Sequence, residues 1–399
     1  MPTIEADFDD LKELLGKDIS IEELEEEGIL YAKGEIDENE KGQLKLDIKD
    51  VNRPDLWSIE GIVRQLKGHY KIKKGLAEFD VKKSDLKVQV QKSVNKIRPK
   101  TVCAVVKNLD FDDDAIKQMI QLQEKVSQTY GRDRDEAAIG IYDYNKIKGP
   151  IQYKAVGPED IKFVPLGMNE KLTPKEILKK HPKGEKYSHL IEKYEKYPLF
   201  IDNEENVLSL PPIINSNYTG KVDQNTKDVF IEVSGHNLEI ISIALNVIVS
   251  ALSDRGGKIE SVDVEYDKKT ITTPLLEPKE TEFDPDNCRS ILGLDIENKK
   301  IIKLLEESRM KKKKKNGKIK VKYPGYRGDI LHGRDIIEEI AISFGYNDIQ
   351  PKQPEIFTVG KEDKREVFFD KVREINTGLG LQEVSNFTLT NKKELFEKM

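Results

Sequence analysis

The chain has 399 residues, 35% of them charged, and a formal net charge of −6. That length exceeds what one hydrophobic core usually organises and predicts roughly two to four domains. The acid excess argues against a protein held to nucleic acid by overall positive charge, no run is apolar enough to span a bilayer, and the acidic N-terminus lacks the features of a signal peptide.

Cys103 and Cys288 are the only cysteines, and neither belongs to a CxxC pair. The five histidines form no H-x-x-x-H motif. A disulfide framework and a zinc site are therefore unsupported, and a reducing cytoplasm is the expected location, with no membrane partner.

Residues 1–85 read as a small α+β domain. Helical patterning covers Asp7 to Leu15 and Ile21 to Glu27, and Leu44 to Lys49 alternates as a strand does. Asn52-Arg-Pro-Asp-Leu56 then leads into a helix whose apolar face is Ile59, Ile62, Val63 and Leu66, with Pro54 suited to a first turn. Trp57, the single tryptophan, is expected in the core.

Residues 90–268 read as a larger α/β domain. Strands are expected at Thr101 to Val106, Ala137 to Tyr142, Ile151 to Val156 and Phe230 to Ser234. Helices are expected at Asp113 to Tyr130, over much of Lys171 to Tyr197, and from Leu238 to Leu252, where Gly256-Gly257 ends the pattern. The double proline in Leu210-Pro-Pro-Ile-Ile-Asn-Ser216 interrupts regular structure.

Residues 270–348 form a third unit, with a helix from Asn298 to Glu307 and a strand from Lys318 to Lys322. Lys311 to Lys315, followed by Asn316-Gly317, reads as a hairpin tip. A solvated loop is the ordinary outcome for such a run, and phosphate contact is the alternative. The segment Arg327 to Glu339 then gathers four carboxylates, Asp329, Asp335, Glu338 and Glu339, on the approach to and first turns of an amphipathic helix. The last three are spaced to converge on one side. Clustered carboxylate oxygens suit Mg²⁺, whereas acids near a helix N-terminus also simply complement its dipole.

Residues 356–399 open a fourth unit, with an amphipathic helix from Arg365 to Asn376 and the beginning of a strand in Leu381 to Thr390. One helix and one strand cannot bury a core, so this unit is expected to be incomplete.

Four strings occur in order: Asn52-Arg-Pro-Asp-Leu56, Leu210-Pro-Pro-Ile-Ile-Asn-Ser216, Arg327-x-Asp-Ile-x-His332 with Asp335-x-x-Glu-Glu339, and Gly378-Leu-Gly-Leu-Gln-Glu-Val384. Together they resemble the β subunit of archaeal and eukaryotic phenylalanyl-tRNA synthetase, over the whole chain. The resemblance implies a multidomain α+β protein. Its parts are a small N-terminal domain, a tRNA-editing domain at 90–268, a winged-helix-like domain at 270–348, and the start of a class II synthetase-like domain at 356–399. The family chain runs on beyond this point, so an N-terminal fragment is expected.

The resemblance also implies an α2β2 assembly with the α subunit and tRNA(Phe) as partners. ATP and phenylalanine act through the α subunit, which holds the main synthetic site. The β chain is expected to support aminoacylation and to hydrolyse mischarged Tyr-tRNA(Phe), since a pocket for phenylalanine cannot cheaply exclude an added hydroxyl. Editing candidates are Leu208, Asn215, Ser216, Glu232 and Ser234, with Gly140 to Asp143 nearby. No Ser/His/Asp or Cys/His set is evident, which suits attack by water without a covalent intermediate. By the same resemblance, Asp329, Asp335, Glu338 and Glu339 are implied ligands of a Mg²⁺ shared with the α subunit. The chain departs from the family pattern at Tyr142, where a histidine is usual, and at Ser234-Gly-His-Asn237, where Thr-Gly-Thr-Asp is usual. Two other readings are a catalytically silent scaffold or RNA-binding module and a stand-alone editing hydrolase.

Overall fold

The computed structural model describes residues 2–313 and 317–398. The chain divides after Ile349 into two compact units.

The first unit begins with strands β1 (Thr3–Asp7), β2 (Gly34–Glu40) and β3 (Gln43–Ile48), which form an antiparallel sheet in the order β1-β3-β2. Alternation decides the register: Leu44, Leu46 and Ile48 of β3 all point into the core. Asp7 caps the helix Phe8–Leu15 by accepting from the Asp10 amide. Ser58 does the same for the helix Ile59–His69, accepting from the Gly61 amide. Gly61 is needed there, because a Cβ would fall 1.5 Å from the Asp55 carbonyl oxygen. Trp57 is fully buried, as its sequence context suggested. The helix expected over Ile21 to Glu27 is less regular: Ile21–Glu23 is α-helical, Leu24–Gly28 widens into a π turn, and Ile29–Tyr31 closes it.

The central sheet contains β4 (Val81–Val90), β5 (Lys100–Lys107), β6 (Ala137–Asp143), β7 (Ile151–Val156), β8 (Tyr197–Ile201), β9 (Val207–Leu210), β10 (Ile214–Asn215), β11 (Val229–Gly235) and β12 (Lys258–Tyr266). Their order is β10-β9-β8-β7-β4-β12-β5-β11-β6, and β13 (Lys269–Thr273) pairs with β12. β4 runs parallel to both β12 and β7, and the other pairs are antiparallel. β4 spans residue 85, and its Lys-rich sequence alternates cleanly: Ser84, Leu86, Val88 and Val90 are buried between exposed neighbours.

Two cores form on opposite faces of this sheet. Val102, Ala104 and Val106 of β5, with Val229, Ile231 and Val233 of β11, pack under the helix Leu238–Asp254. Cys103, Val105, Phe230 and Tyr142 face the other way with Tyr153, Phe200 and Leu208. This second face carries the candidate site.

A third, antiparallel sheet has β14 (Lys279–Phe283), β15 (Lys311–Lys313) and β16 (Ile319–Tyr323) in the order β14-β16-β15. Its core includes residues of the helices Pro285–Leu292, Asn298–Glu307 and Gly333–Phe344. Lys311 to Lys313 therefore belong to an exposed edge strand rather than to a hairpin tip, paired with the backbone of β16. Lys314 and Lys315 lie outside the described residues.

The second unit contains the helices Lys364–Gly378 and Lys392–Phe396. Leu381 to Thr390, expected to begin a strand, is irregular, and no strand occurs among the described residues of this unit. Strand geometry persists only where a neighbouring strand satisfies its amides and carbonyls. Among the described residues, no helix is long and apolar enough to cross a membrane.

Candidate functional site

Glu232 is carried at the middle of β11, which is paired on one side with β5 and on the other with β6. Even-numbered residues of β11 face the second core, so the same alternation that buries Phe230 also buries Glu232. Its register partners are Cys103 and Gly140. Tyr142, on the same face of β6, reaches back across Gly140. Its hydroxyl lies 3.0 Å from Glu232 Oε1 and 2.8 Å from Ser209 Oγ on β9. Only glycine leaves room at 140, because a Cβ there would sit 2.1 Å from the Tyr142 hydroxyl and 2.7 Å from Glu232 Oε1.

The other carboxyl oxygen, Glu232 Oε2, is buried and has no hydrogen-bond partner among the described residues. Burial pushes the Glu232 carboxyl up to about 8, against the downward pull of Tyr142, Arg98 and Ser234. Near neutral pH the group is therefore mostly protonated and able to donate as well as accept. Buried Tyr142 is also raised, first by burial and then by the proximity of Glu232.

Glu232 and Ser209 belong to the lining of a cavity of about 250 Å³, together with Asn215, Arg134 and apolar side chains such as Ile141 and Pro212. Asn215 donates from Nδ2 to the Ile141 carbonyl at 3.2 Å. Arg134 donates to the carbonyls of Pro212 and Ile213 at 3.1 and 2.8 Å, fixing the proline-rich rim against the loop after Tyr130. Apolar walls around a few placed polar groups are the usual make-up of a small-molecule pocket.

The expected editing residues divide between lining and support. Asn215 and Glu232 line the cavity. Leu208 is fully buried in the core beneath it. Ser216 caps the short helix Asn217–Gly220, with its hydroxyl 2.9 Å from that of Thr219. The Ser234 hydroxyl accepts from Arg98 Nε at 3.0 Å. Ser209 lies within the expected stretch Leu208 to Ser216 but was not singled out, and Arg134 lies outside it. Ser209 was legible as the polar member of the alternation Val-Leu-Ser-Leu, whereas Arg134 depends on a loop in which residues 132–134 all take positive φ, a feature no sequence pattern announces.

The four acids of Arg327 to Glu339 do not form one cluster. Asp329 accepts from Arg327 at 2.8 and 2.6 Å in a bidentate pair. Glu339 Oε1 accepts from Arg327 at 2.9 Å and from Arg53 at 3.3 Å, with Lys33 Nζ at 3.4 Å. Arg53 is itself held by Asp55 at 2.9 and 2.8 Å. Burial alone would raise Asp329 and Glu339, but Arg327 and Arg53 outweigh it and hold both carboxyls below the usual range. Asp335 instead caps the helix Gly333–Phe344, its Oδ2 accepting from the Leu331 and His332 amides at 2.7 and 2.6 Å. Glu338 is half-exposed on the outer face, 3.8 Å from Lys33.

Contrary to their spacing, the acids do not converge: Asp329 meets Glu339 through arginine, while Asp335 and Glu338 go elsewhere. Among the described residues, no group of three His, Cys, Asp or Glu side chains is arranged to hold a metal ion. The four acids do not fit a dication as a set, since two guanidinium groups already occupy the inner pair.

Residues 88–262 match the B3/4 domain model, and residues 281–346 match the tRNA synthetase B5 domain model. The phenylalanine–tRNA ligase beta subunit of Pyrococcus horikoshii is 49% identical over 403 residues, covering 100% of this chain and 72% of the relative. That of Thermococcus onnurineus is 48% identical, covering 100% of this chain and 70% of the relative. The chain belongs to the phenylalanine–tRNA ligase β-subunit family. A crystal structure of an N-terminal fragment of the phenylalanyl-tRNA synthetase β subunit from Pyrococcus horikoshii superimposes with a TM-score of 0.84 at 50% identity, covering 86% of this chain and 100% of the fragment. The enzyme to which this β-subunit family contributes is a ligase, and the mixed α+β architecture agrees with the family.

Two departures from the β-subunit pattern have a local explanation. Asn237 caps the helix Leu238–Asp254 by accepting from the Glu239 amide at 2.8 Å, a task asparagine and aspartate perform about equally. Tyr142 at the usual histidine position is the residue that occupies Glu232 Oε1.

Proposed function

We propose that the chain acts as the β subunit of a cytoplasmic phenylalanine–tRNA ligase, an α2β2 assembly in which the α subunit joins phenylalanine to tRNA(Phe) at the expense of ATP. In this reading the cavity beside Glu232 receives the aminoacyl end of Tyr-tRNA(Phe) and hydrolyses the mischarged ester. What carries the proposal is the unpartnered Oε2 of Glu232 in a pocket whose walls combine apolar side chains with a few polar groups. A tyrosine hydroxyl placed against Oε2 satisfies it. A phenylalanine ring leaves it buried and unpaired, so the correctly charged tRNA is spared by the cost of an unsatisfied polar group. Asn215 lies across the cavity from the same sheet and is suited to orient the ester carbonyl or the attacking water. No protein nucleophile is required.

In the same reading, residues 1–85 are a small α+β domain, 90–268 the editing domain and 270–348 a winged-helix-like domain. Residues 356–399 begin a class II synthetase-like domain. A Mg²⁺ shared with the α subunit belongs to the same reading, although Asp329, Asp335, Glu338 and Glu339 as arranged here do not fit it as a set and only Glu338 of the four is exposed. No step of the hydrolysis is routed through it.

Release of tyrosine from mischarged tRNA(Phe) tests the proposal. The chain should release tyrosine, and Glu232→Ala should lose most of that rate while retaining its fold. Equal rates for the two proteins would rule out Glu232 as the recognition group. No release by either would favour a scaffold role.

A further inference from the structure

A second cavity lies well apart from the editing pocket, between the helix Ile59–His69, the C-terminal end of the helix Leu238–Asp254, and Arg309 just beyond the helix Asn298–Glu307. Its volume is about 60 Å³. Four cations line it: Arg64, Lys67, Lys73 and Arg309. The acids are fewer and mostly committed. Asp254 accepts from Arg64 Nε at 2.7 Å, and Glu60 is paired with Arg255. Neither lysine is within ion-pair distance of a carboxylate among the described residues.

Two nitrogens here have no partner among the described residues: Arg64 Nη1 and Arg309 Nε. Both belong to nearly fully buried side chains, 5% and 3% exposed. A buried guanidinium nitrogen left unpaired costs free energy comparable to a lost charge-assisted hydrogen bond. Gathering cations around the same void adds mutual repulsion. That repulsion is visible at Lys67, which is held down first by burial and then by Lys73, Arg309 and Arg64, against the pull of Asp254. Water can accept from a nitrogen but cannot neutralise the charge.

We propose that this cavity is a binding site for a small inorganic oxyanion of the size and charge of phosphate or sulfate. The void has room for one such ion beside the two buried guanidinium groups. Guanidinium groups present donors in a geometry matched to tetrahedral oxyanions, and the lysines supply compact charge at the mouth. A bound ion bridges the helix Ile59–His69 to Arg309 after Glu307, so it stabilises the packing of parts far apart in sequence.

The test uses calorimetric titration and thermal unfolding of the chain with sodium phosphate and sodium sulfate, each against sodium chloride at matched ionic strength and pH. The expected result is a saturable single-site heat and a Tm rise of about 2 °C over chloride. In Lys67→Met/Lys73→Met the affinity should fall at least about tenfold. These lysines are chosen because neither is fully buried, so their replacement leaves the core intact. Absence of a saturable heat or Tm rise above chloride overturns the proposal. So does an affinity unchanged in the double variant.

Discussion

Tyr142 and Glu232, on adjacent strands of the central sheet, share a contact of 3.0 Å that occupies one carboxyl oxygen and leaves the other unpaired. The carboxyl is thereby presented with a single open valence, and its orientation is set by a phenol that the chain supplies itself.

Removing that phenol should blur recognition. In Tyr142→Phe the Oε1 oxygen loses its partner as well, so neither Glu232 oxygen is held and the carboxyl is free to turn. Losing a hydrogen bond to a buried group costs ~1–3 kcal/mol, so the preference for hydrolysing Tyr-tRNA(Phe) over Phe-tRNA(Phe) is expected to fall about tenfold. Deacylation rates on the two charged tRNAs measure this ratio. An unchanged ratio would show that Tyr142 only fills space.

The raised Glu232 carboxyl has a stability signature. Its ordinary value is 4.5 and its value in the folded chain about 8. The folded state therefore holds a proton that the unfolded state has released between those values. The contribution is fully present below 4.5 and is lost as pH rises through about 8. Thermal unfolding from mildly acidic pH up to about 8 should show Tm falling more steeply for the native chain than for Glu232→Gln, which cannot ionise. Parallel curves would mean that Glu232 is ionised throughout.

The ion cluster around Arg327 predicts the opposite sign. Arg327→Met leaves Asp329 and Glu339 buried with Arg53 and Lys33 as their remaining cations. Breaking a buried pair by deleting one partner typically costs ~3–5 kcal/mol. Urea unfolding of the variant should show a loss of that order. The loss should shrink as pH falls, because the stranded carboxyls then take up protons. In the native chain both carboxyls are held low, so their contribution disappears only as the solution becomes acidic.

Metal removal gives a fourth test. Because arginines hold the inner acids, excess EDTA is expected to leave the Tm of this chain unchanged, and added Mg²⁺ is expected to raise it no more than an equal charge of Na⁺. A saturable rise with Mg²⁺ that vanishes in Glu338→Ala would show a site already formed on the isolated chain.

Much of the architecture was legible from periodicity. The helices beginning near Ile59, Asp113 and Leu238 have apolar residues at helical spacing, and β5 is a continuous apolar run because both of its faces are covered. β4 escaped notice because lysine and aspartate occupy its solvent side, masking a strict alternation. At the site, Glu232 and Asn215 came from the resemblance of the surrounding strings to the β-subunit family, not from periodicity. The fate of the four acids was not legible. Spacing on one helix says which side chains are neighbours, but it cannot show that Glu339 is also held by Arg53, 286 residues away along the chain, and approached by Lys33.

The placement of Glu232 on β11 ties the chemistry of the pocket to chain length. Both edges of β11 are paired, and successive residues alternate between the pocket face and the core beneath the helix Leu238–Asp254. Adding or deleting one residue before Glu232 would turn its carboxyl into that apolar core and bring Ile231 or Val233 to the pocket. Insertions are therefore intolerable in this strand but permissible in the rim. Changes in which side chain is accepted should arise through exchange of residues at fixed positions on the floor, and through altered loop length only above it.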